Sequence, residues 1–284
     1  MKIQVIETIS DSGNPTDDNE DRFGWNEVTA FVIDGATPLG PPLLDAAHSD
    51  AAWLAAFATD FFLQRLPSAA SGREVVRSLN AAARNHFYSH VRSQAEPYQY
   101  PVAAFQCIRI RGSSIETMGL ADCVLWIRDK LGRCMTWTGA TSEAPPDLQA
   151  INSSGSSEPP SVGALHDQRV LSQLRLQRST YNSGAGPWTL GLEPAAADHV
   201  VIKNLEIALP ALGILCTDGF SAAVDHYRLY TVEGIFAVAE REGLSKILHR
   251  LRQTEHHADP TGALFPRFKQ SDDATAILFE IRSV

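Results

Sequence analysis

Carboxylates stand at several places in this chain where they could bind a hard cation. The densest group, Asp17 to Asp21, places four acids within five residues. Charge crowded in this way is unfavourable unless a cation or solvent screens it. A calcium loop of the EF-hand type is excluded, because its sixth position would be Arg22 rather than Gly and its twelfth would be Val28 rather than Glu. A solvated turn and a metal site both stay open for this cluster taken alone.

Three other acids lie next to apolar runs that are typical of buried strands. Asp34 comes directly after one run, Asp218 after a second, and Asp272 just before a third. A charge at the edge of a core is costly unless it is paired or bound to a metal. Lys and Arg are scarce beside Asp34 and Asp218, and no Cys/His set is nearby, so oxygen ligands favour magnesium or manganese over zinc. Asp-Gly alone is common in turns, so the evidence is the shared context of the three acids.

The elements that must position these acids are mixed. Helical spacing predicts helices over 49–66, 73–92, 164–178 and 232–252, the last as one helix or two. Apolar and alternating runs predict strands over 2–9, 31–33, 102–111, 114–128, 133–137, 188–192, 199–205, 212–217 and 274–281. Because strands and helices do not alternate strictly, the order indicates an α+β fold with largely antiparallel sheets.

The domain organisation is predicted to be simple. Residues 139–162 are rich in Ser, Gly and Pro, which predicts a long loop, either a functional lid or a disordered insertion. No linker or internal repeat divides the chain. We therefore expect one domain over residues 1–284, with a flap-like insertion around 139–190.

Composition excludes several classes of protein. The 284 residues are 44% hydrophobic and 20% charged, which is enough for a large core and argues against global disorder. The net charge of -9 and the lack of a dense Lys/Arg run argue against nucleic-acid binding. No run approaches the roughly 20 apolar residues of a membrane helix, so we expect no membrane association. The oligomeric state is not predicted.

The location of the protein is inferred from its start and its cysteines. The first residues alternate and lack the apolar core of a signal peptide. None of the four cysteines forms a C-x-x-C pair, and Cys107, Cys123 and Cys216 lie in apolar runs. Buried free thiols in a reducing compartment are the expected state, and we predict a cytoplasmic protein.

A set of short motifs in this chain resembles those of the PPM (PP2C-type) serine/threonine phosphatases, in their bacterial form. The residues Gly119 to Cys123 resemble the strand with the G-D-[SC] motif, with Ala121 in place of the Gly. The resemblance runs from about residue 7 to 281. The other matching motifs, in order, are Asn19-Glu20-Asp21, Asp34-Gly35, Asp218-Gly219 and Asp272-Asp273-Ala274-Thr275.

The resemblance implies a four-layer αββα sandwich, in which two antiparallel sheets pack together between outer helices. It also implies a centre of two divalent cations, Mn²⁺ or Mg²⁺. Asp34 would bridge the two ions and the carbonyl of Gly35 would bind one of them. Asp218 and Asp272 would bind the other.

The resemblance adds further ligands around this pair. Glu20 and Asp21 would contact the centre directly or through water, and Asp122 with Asp218 would form a weaker third site. The residues that would carry catalysis through the metal-bound water are then Asp34, Asp218 and Asp272.

The implied activity is hydrolysis of phosphomonoesters, with phosphoserine and phosphothreonine in a phosphorylated protein as expected substrates. A water that bridges two cations becomes hydroxide near neutral pH and can attack phosphorus in line. No protein nucleophile is needed, which agrees with the lack of a Ser/His/Asp or catalytic Cys arrangement. Two alternatives stay open: a pseudophosphatase that docks a partner, and a phosphatase for a small phosphorylated metabolite.

Two positions depart from the family pattern. Thr16 stands where many members carry an Arg that binds the substrate phosphate. Arg22, Arg111 or Arg178 could replace that Arg in space, and we take Arg22 as the candidate.

The second departure is Ala36, which stands where animal-type members have a His that is proposed as a proton donor. A metal-bound water or Thr37 would then serve the leaving group.

Overall fold

The computed structural model describes residues 1–44, 49–91, 93–140, 161–164 and 167–283. The predicted loop over 139–162 therefore lies almost wholly outside the described residues, as does part of the predicted insertion. The strands are β1 Lys2–Asp11, β2 Asp21–Trp25, β3 Thr29–Gly35, β4 Ala103–Arg111, β5 Ser114–Arg128, β6 Cys134–Gly139, β7 Val201–Leu205, β8 Ala211–Cys216 and β9 Ala274–Arg282. The α-helices are α1 Asp50–Arg65, α2 Gly72–His90, α3 Gln168–Arg178, α4 Asp218–Asp225, α5 Val232–Glu242 and α6 Leu244–Gln253.

The strands form two antiparallel sheets that share β5. The first half of β5 pairs with β4 and β7, and the sheet continues through β3 to β2. The second half pairs with β6 and β8, and that sheet continues through β9 to β1. The two sheets are therefore joined covalently through one long strand.

Three apolar clusters fill the spaces between four layers. One cluster lies between the two sheets, a second lies between the first sheet and helices α1 and α2, and a third lies between the second sheet and helices α4 to α6. In β3, Phe31 and Ile33 belong to the cluster under α1 and α2, whereas Ala30 and Val32 belong to the cluster between the sheets. Because apolar clusters cover both faces of β3, its sequence is a continuous apolar run. The predicted α+β fold with four αββα layers is confirmed.

Several elements differ from the sequence predictions. The strand expected over 188–192 is wrong, because only Leu190 makes a ladder contact, an isolated bridge to Ala103. The helical region over 232–252 is two helices, which Gly243 separates with a φ of 82°. Helix α3 begins at Gln168 rather than at 164, since the Asp167 side chain accepts a hydrogen bond from the Arg169 backbone and caps it.

The cysteines agree with the prediction of buried free thiols. Cys107, Cys123 and Cys216 are buried, and all four cysteines are free thiols. Among the described residues, no helix has the length and apolar character needed to cross a membrane.

Strand β5 passes from one sheet to the other at Ala121. This alanine has a φ of 61°, in the left-handed region that disfavours side chains with a Cβ. The register of β5 with β6 shifts directly after it. The strained residue thus turns the strand and fixes the position of Asp122, the next residue along.

Ala121→Gly should therefore stabilise the protein. Without a Cβ, residue 121 is no longer strained in the left-handed conformation, which stabilises the folded state. Glycine also makes the unfolded chain more flexible, which favours unfolding, but the net gain in the free energy of unfolding is about 0.5 to 1 kcal/mol. A melting temperature higher by roughly 1 to 4 °C is the expected result. Ala104→Gly, at a buried site within β4, is the control and should lower the melting temperature. A melting temperature that falls for both variants would contradict the role given to Ala121.

Candidate metal centre

The first two acids of the centre face each other across adjacent strands. Asp21 begins β2 and is the direct cross-strand partner of Asp34 in β3. Like charges at directly opposite positions of an antiparallel pair destabilise a sheet. Asp21 is only 2% exposed and Glu20 before it is 7% exposed, so water screens this pair poorly. If both carboxylates of this pair are ionised, a positive charge must come from elsewhere to stabilise them.

Two further acids come from the other sheet. Asp218 is the first residue of α4 and directly follows β8 and Thr217, and Asp272 lies two residues before β9. β8 and β9 are hydrogen-bonded neighbours, with Cys216 paired to Ala276. The ends of these elements therefore meet at the same edge of the sheet.

Close backbone approach explains the glycines of both Asp-Gly motifs. A Cβ on Gly219 would lie 2.0 Å from the carbonyl oxygen of Asp273. A Cβ on Gly35 would lie 2.8 Å from the carbonyl oxygen of Glu20. These glycines allow the backbone segments that carry the acids to come into contact. The Asp-Gly motif is therefore needed here for close approach of two segments and not for a turn.

Asp273 connects the two ends of the chain at this edge. One of its carboxylate oxygens accepts a hydrogen bond from the Gly13 backbone at 3.0 Å, and the other accepts one from the Glu20 backbone at 2.6 Å. Its neighbour Asp272 instead pairs with the Lys269 ammonium at 2.8 Å. Sequence reasoning missed both roles, because neither Gly13 nor Lys269 lies in a recognisable motif.

Hydroxyl groups orient the two most buried acids. Thr217 donates a hydrogen bond to Asp21 at 2.7 Å, and the Thr275 backbone donates to the Thr217 hydroxyl at 3.0 Å. Ser49 donates to Glu20 and at the same time caps helix α1. The caps and strand ends that hold the fold thus also hold the acids.

The pKa values of the acids report their burial first and their crowding second. Burial raises the pKa of Glu20 to about 7, and burial with the charge of Asp272 raises the pKa of Asp218 to about 7. The pKa of Asp34 is raised by burial and then by the charges of Asp218 and Asp21. Burial likewise raises the pKa of Asp21. These acids resist ionising together unless positive charge enters.

Asp272 is the exception. Burial alone would raise the pKa of Asp272, but the Lys269 ammonium outweighs burial and holds that pKa below its usual value. One ammonium group, supported weakly by Arg252, therefore balances a small part of the charge on this cluster.

The residues fit a divalent cation in type and charge. One carboxylate oxygen of Asp21 is buried and has no hydrogen-bond partner among the described residues. The donors are hard oxygens, as Mg²⁺ and Mn²⁺ prefer. As the side chains stand, no group of three or more His, Cys, Asp or Glu within the described residues is arranged to hold a metal ion. Asp34, Asp122, Asp218 and Asp272 line a shared cavity rather than meet at one common point.

Two connected cavities open beside the acids. The smaller, of about 120 Å³, is lined by Asp34, Gly35, Asp122, Asp218 and Asp272 among others. The larger, of about 660 Å³, shares Asp122, Asp218 and Asp272 with it and extends toward Trp188 and Tyr227. The smaller volume suits ions and a phosphate, and the larger suits the group that carries the phosphate.

The structure places the remaining predicted residues as follows. Asp17 and Asp18, the first half of the acidic cluster, are exposed. Arg22 donates hydrogen bonds at 2.6 Å to the carbonyls of Asn19 and Asp21 and is not among the residues that line either cavity. Arg178 lines both cavities.

Solved structures share this fold. The chain aligns with the Mycobacterium tuberculosis serine/threonine phosphatase PstP/Ppp at a TM-score of 0.59 and 14% identity, over 100% of both chains. A structure of the PstP catalytic domain in complex with two manganese ions gives 0.57 and 14%, over 99% of both chains. The PPM Ser-Thr phosphatase MsPP from Mycobacterium smegmatis, in complex with cacodylate, gives 0.57 and 14%, over 98% of this chain and 99% of that one.

Comparisons by sequence find nothing comparable. No protein-family model matches the chain, and no curated protein matches it significantly. At 14% identity the structural likeness establishes the fold, which is that of the PPM-type serine/threonine phosphatases. The resemblance predicted from the motifs is confirmed at this level.

Without metal, the stability of the protein should fall as pH rises. The folded pKa of Glu20 and Asp218 is about 7, against usual values of 4.5 and 3.8. A raised carboxyl pKa stabilises the fold at low pH, and this stabilisation is lost as pH rises through about 7. Melting temperatures measured in EDTA between pH 5 and 8 should therefore decrease. Excess Mn²⁺ should restore stability most at pH 8, since it binds the ionised acids.

Asp34→Asn should change stability in opposite directions with and without metal. In EDTA at pH 8 the variant should melt higher by roughly 2 to 4 °C, because loss of one charge relieves about 1 kcal/mol of repulsion. With Mn²⁺ it should lose the stabilisation that wild type gains. Asp18→Asn, at an exposed acid of the loop before β2, should behave as wild type in both buffers. An Asp34→Asn protein that still gains stability from Mn²⁺ would exclude Asp34 as a ligand.

Proposed function

We propose that this protein is a metal-dependent phosphatase that hydrolyses phosphomonoesters, with phosphoserine and phosphothreonine in proteins as its substrates. The observation that carries the proposal is the set of acids around one small cavity, which Asp34, Asp122, Asp218 and Asp272 line. Asp21 faces Asp34 across the strand pair directly beside it. Their fold setting is that of serine/threonine phosphatases. A soluble acidic surface would not place carboxylates with raised pKa values around a cavity.

The proposed ligands are the residues that match the motifs of the PPM-type phosphatases. Asp34, which pairs with Asp21 and lines the smaller cavity, would help to hold both cations, and the carbonyl of Gly35 would add a ligand to one of them. Asp218 and Asp272 would hold the other cation. Three more acids complete the proposed set: Glu20 and Asp21 as direct or water-mediated ligands, and Asp122 with Asp218 at a weaker third position.

We propose Mn²⁺ or Mg²⁺ as the resident ions. The donors are carboxylate and carbonyl oxygens, and the PstP catalytic domain, which has the same fold, is known in complex with two manganese ions. When bound, two such ions would activate water for in-line attack on phosphorus and neutralise the phosphate oxygens.

The protein groups would act by positioning and by control of charge. Thr217 and Ser49 hold Asp21 and Glu20 in fixed orientations through hydrogen bonds. Lys269 keeps Asp272 ionised, so that one ligand is ready for a cation at any neutral pH. Thr37 lines both cavities and is our candidate to hydrogen-bond the leaving-group oxygen.

The lack of an Arg at Thr16 fits both alternatives from the sequence, and Ala36 fits a pseudophosphatase, but the cavity and its acids support a phosphoprotein phosphatase better. A pseudophosphatase would not need so many acids around the cavity, and a phosphatase for a small metabolite would not need a cleft as long as the one that reaches Trp188 and Tyr227. We therefore propose a phosphorylated protein as the partner. Location in the cytoplasm and the lack of nucleic-acid or membrane partners stay predictions from the sequence.

Purified protein should release p-nitrophenol from p-nitrophenyl phosphate only when Mn²⁺ or Mg²⁺ is present. Asp218→Asn should lower kcat/KM by about a hundredfold or more, because it removes a ligand of the proposed centre. Asp60→Asn, at an exposed acid of α1, is the control and should keep wild-type rates. Folded protein that binds Mn²⁺ without turnover would instead indicate a pseudophosphatase.

Competition separates the two phosphatase alternatives. Phosphoserine and phosphothreonine peptides should inhibit the p-nitrophenyl phosphate reaction at lower concentrations than small sugar or nucleoside monophosphates. The reverse order would favour a metabolite as substrate.

A further inference from the structure

The proposed phosphatase site has no cation at the position where such a site would be expected to bind the substrate phosphate. Thr16 is exposed in the loop before β2, and its hydroxyl donates to Asn14 and Asp17. The phosphate must therefore find its arginine or lysine elsewhere. The candidates are the three arginines named from the sequence, together with Arg267 and Lys269 along the larger cavity.

Two of the arginines are placed badly for this role. Arg22 follows Asp21 in the same strand, so its side chain points to the opposite face of the sheet. Its guanidinium is held by the backbone carbonyls of Asn19 and Asp21. Arg111 lies at the far end of β4 from Ala104, the partner of Asp34. At about 3.3 Å per residue, that distance is roughly 23 Å.

The other cations along the larger cavity are already paired. Lys269 forms an ion pair with Asp272 at 2.8 Å, and Arg267 forms one with Asp259 at 2.9 Å. Arg178 lines both cavities and forms no ion pair with a carboxylate of the described residues. It is nevertheless only 9% exposed. A buried guanidinium without an anion is unfavourable, and it gains when an anion arrives.

The surroundings of Arg178 fix its guanidinium in place. One terminal nitrogen donates to the Thr37 carbonyl at 3.3 Å, and the group lies 5.3 Å from the centre of the Tyr181 ring. The loop after α3 is held by Asn182, which exchanges hydrogen bonds of 2.8 and 2.9 Å with Thr189. A guanidinium that is already ordered loses little entropy when it binds.

The chain path brings this loop to the acids. Ala104 pairs with Asp34, and its neighbour Ala103 forms a bridge with Leu190 at the end of the loop. Arg178 thus lies at the same edge of the sheet as Asp34, and Asp34 and Arg178 line the same 120 Å³ cavity.

We infer that Arg178, at the end of helix α3, is the residue that binds the substrate phosphate, an inference that rests on the proposed phosphatase function. The planar guanidinium suits two phosphate oxygens, which a lysine cannot contact in the same way. Thr16 cannot bind the phosphate, and Arg178, more than 150 residues further along the chain, would bind it instead.

Arg178→Gln is the test, with Arg175→Gln as the matched control. Arg175 is on the same helix, donates to the Leu39 carbonyl at 2.8 Å and lies 4.9 Å from the centre of the Tyr98 ring, but lines neither cavity. Both variants lose a similar contact to the segment after β3.

With Mn²⁺, Arg178→Gln should raise KM for p-nitrophenyl phosphate and Ki for inorganic phosphate by about tenfold or more, with a smaller change in kcat. Arg178→Lys should fall between, and Arg175→Gln should stay within about twofold of wild type.

A thermal measurement gives a readout that does not depend on turnover. In Mn²⁺, inorganic phosphate should raise the melting temperature of wild type and of Arg175→Gln, but not that of Arg178→Gln, against chloride at equal ionic strength. Wild-type turnover with unchanged KM and Ki in Arg178→Gln would overturn the inference and leave the proposed function standing. If wild type shows no turnover, the proposed function fails. Phosphate stabilisation that persists in Arg178→Gln would then overturn the inference as well.

Discussion

Negative charge gathered where two sheets meet is the constraint on which the rest of this structure depends. Asp21 and Asp34 face each other across a strand pair, and the second sheet brings Asp218 to the same cavity. Neighbouring hydroxyls and one lysine reduce the repulsion but leave the pKa of Asp218 near 7. A fold that keeps such a cluster sacrifices stability in the absence of an ion, and strain of this kind is characteristic of functional sites. The clusters of apolar side chains on both sides of each sheet supply the stability that permits it.

The scaffold explains how acids so distant in sequence hold a fixed geometry. Each acid lies at or next to an end or a bend of a strand, where packing restrains the backbone. Asp34, Asp122, Asp218 and Asp272 reach a cavity from these positions. Gly35 and Gly219 allow backbones to touch where any side chain would collide. Ala121 bends β5 at the point where the strand changes sheets. Sites built on such elements are held more firmly than sites on loops, and this suits chemistry that depends on distances between ions.

Apolar runs such as 30–33 and 212–217 were sufficient to predict most strands and an α+β fold with antiparallel sheets. The four layers followed from the resemblance of the motifs. The sequence was insufficient where an element is short or where the role of a residue depends on tertiary contacts. Strand β2 has five residues, of which Arg22 and Gly24 are not typical of strands, and helix α4 begins inside an Asp-Gly motif that is typical of a turn. The acids could be found because motifs are local. Lys269, Ser49 and Arg178 could not be assigned, because their roles depend on contacts that only the folded chain creates.

The pairing of β1 with β9 has a consequence for the time at which the centre can form. Residues 2–11 lie beside residues 274–282, so β1 has no partner strand until β9 has been synthesised. Asp273, which holds the segments of Gly13 and Glu20, also arrives late. Contacts so distant in sequence form slowly, and unpaired edges invite aggregation meanwhile. A nascent chain that stops before residue 272 lacks two acids of the cluster. Ion binding, and any stability it brings, would therefore distinguish chains synthesised past this point from truncated ones.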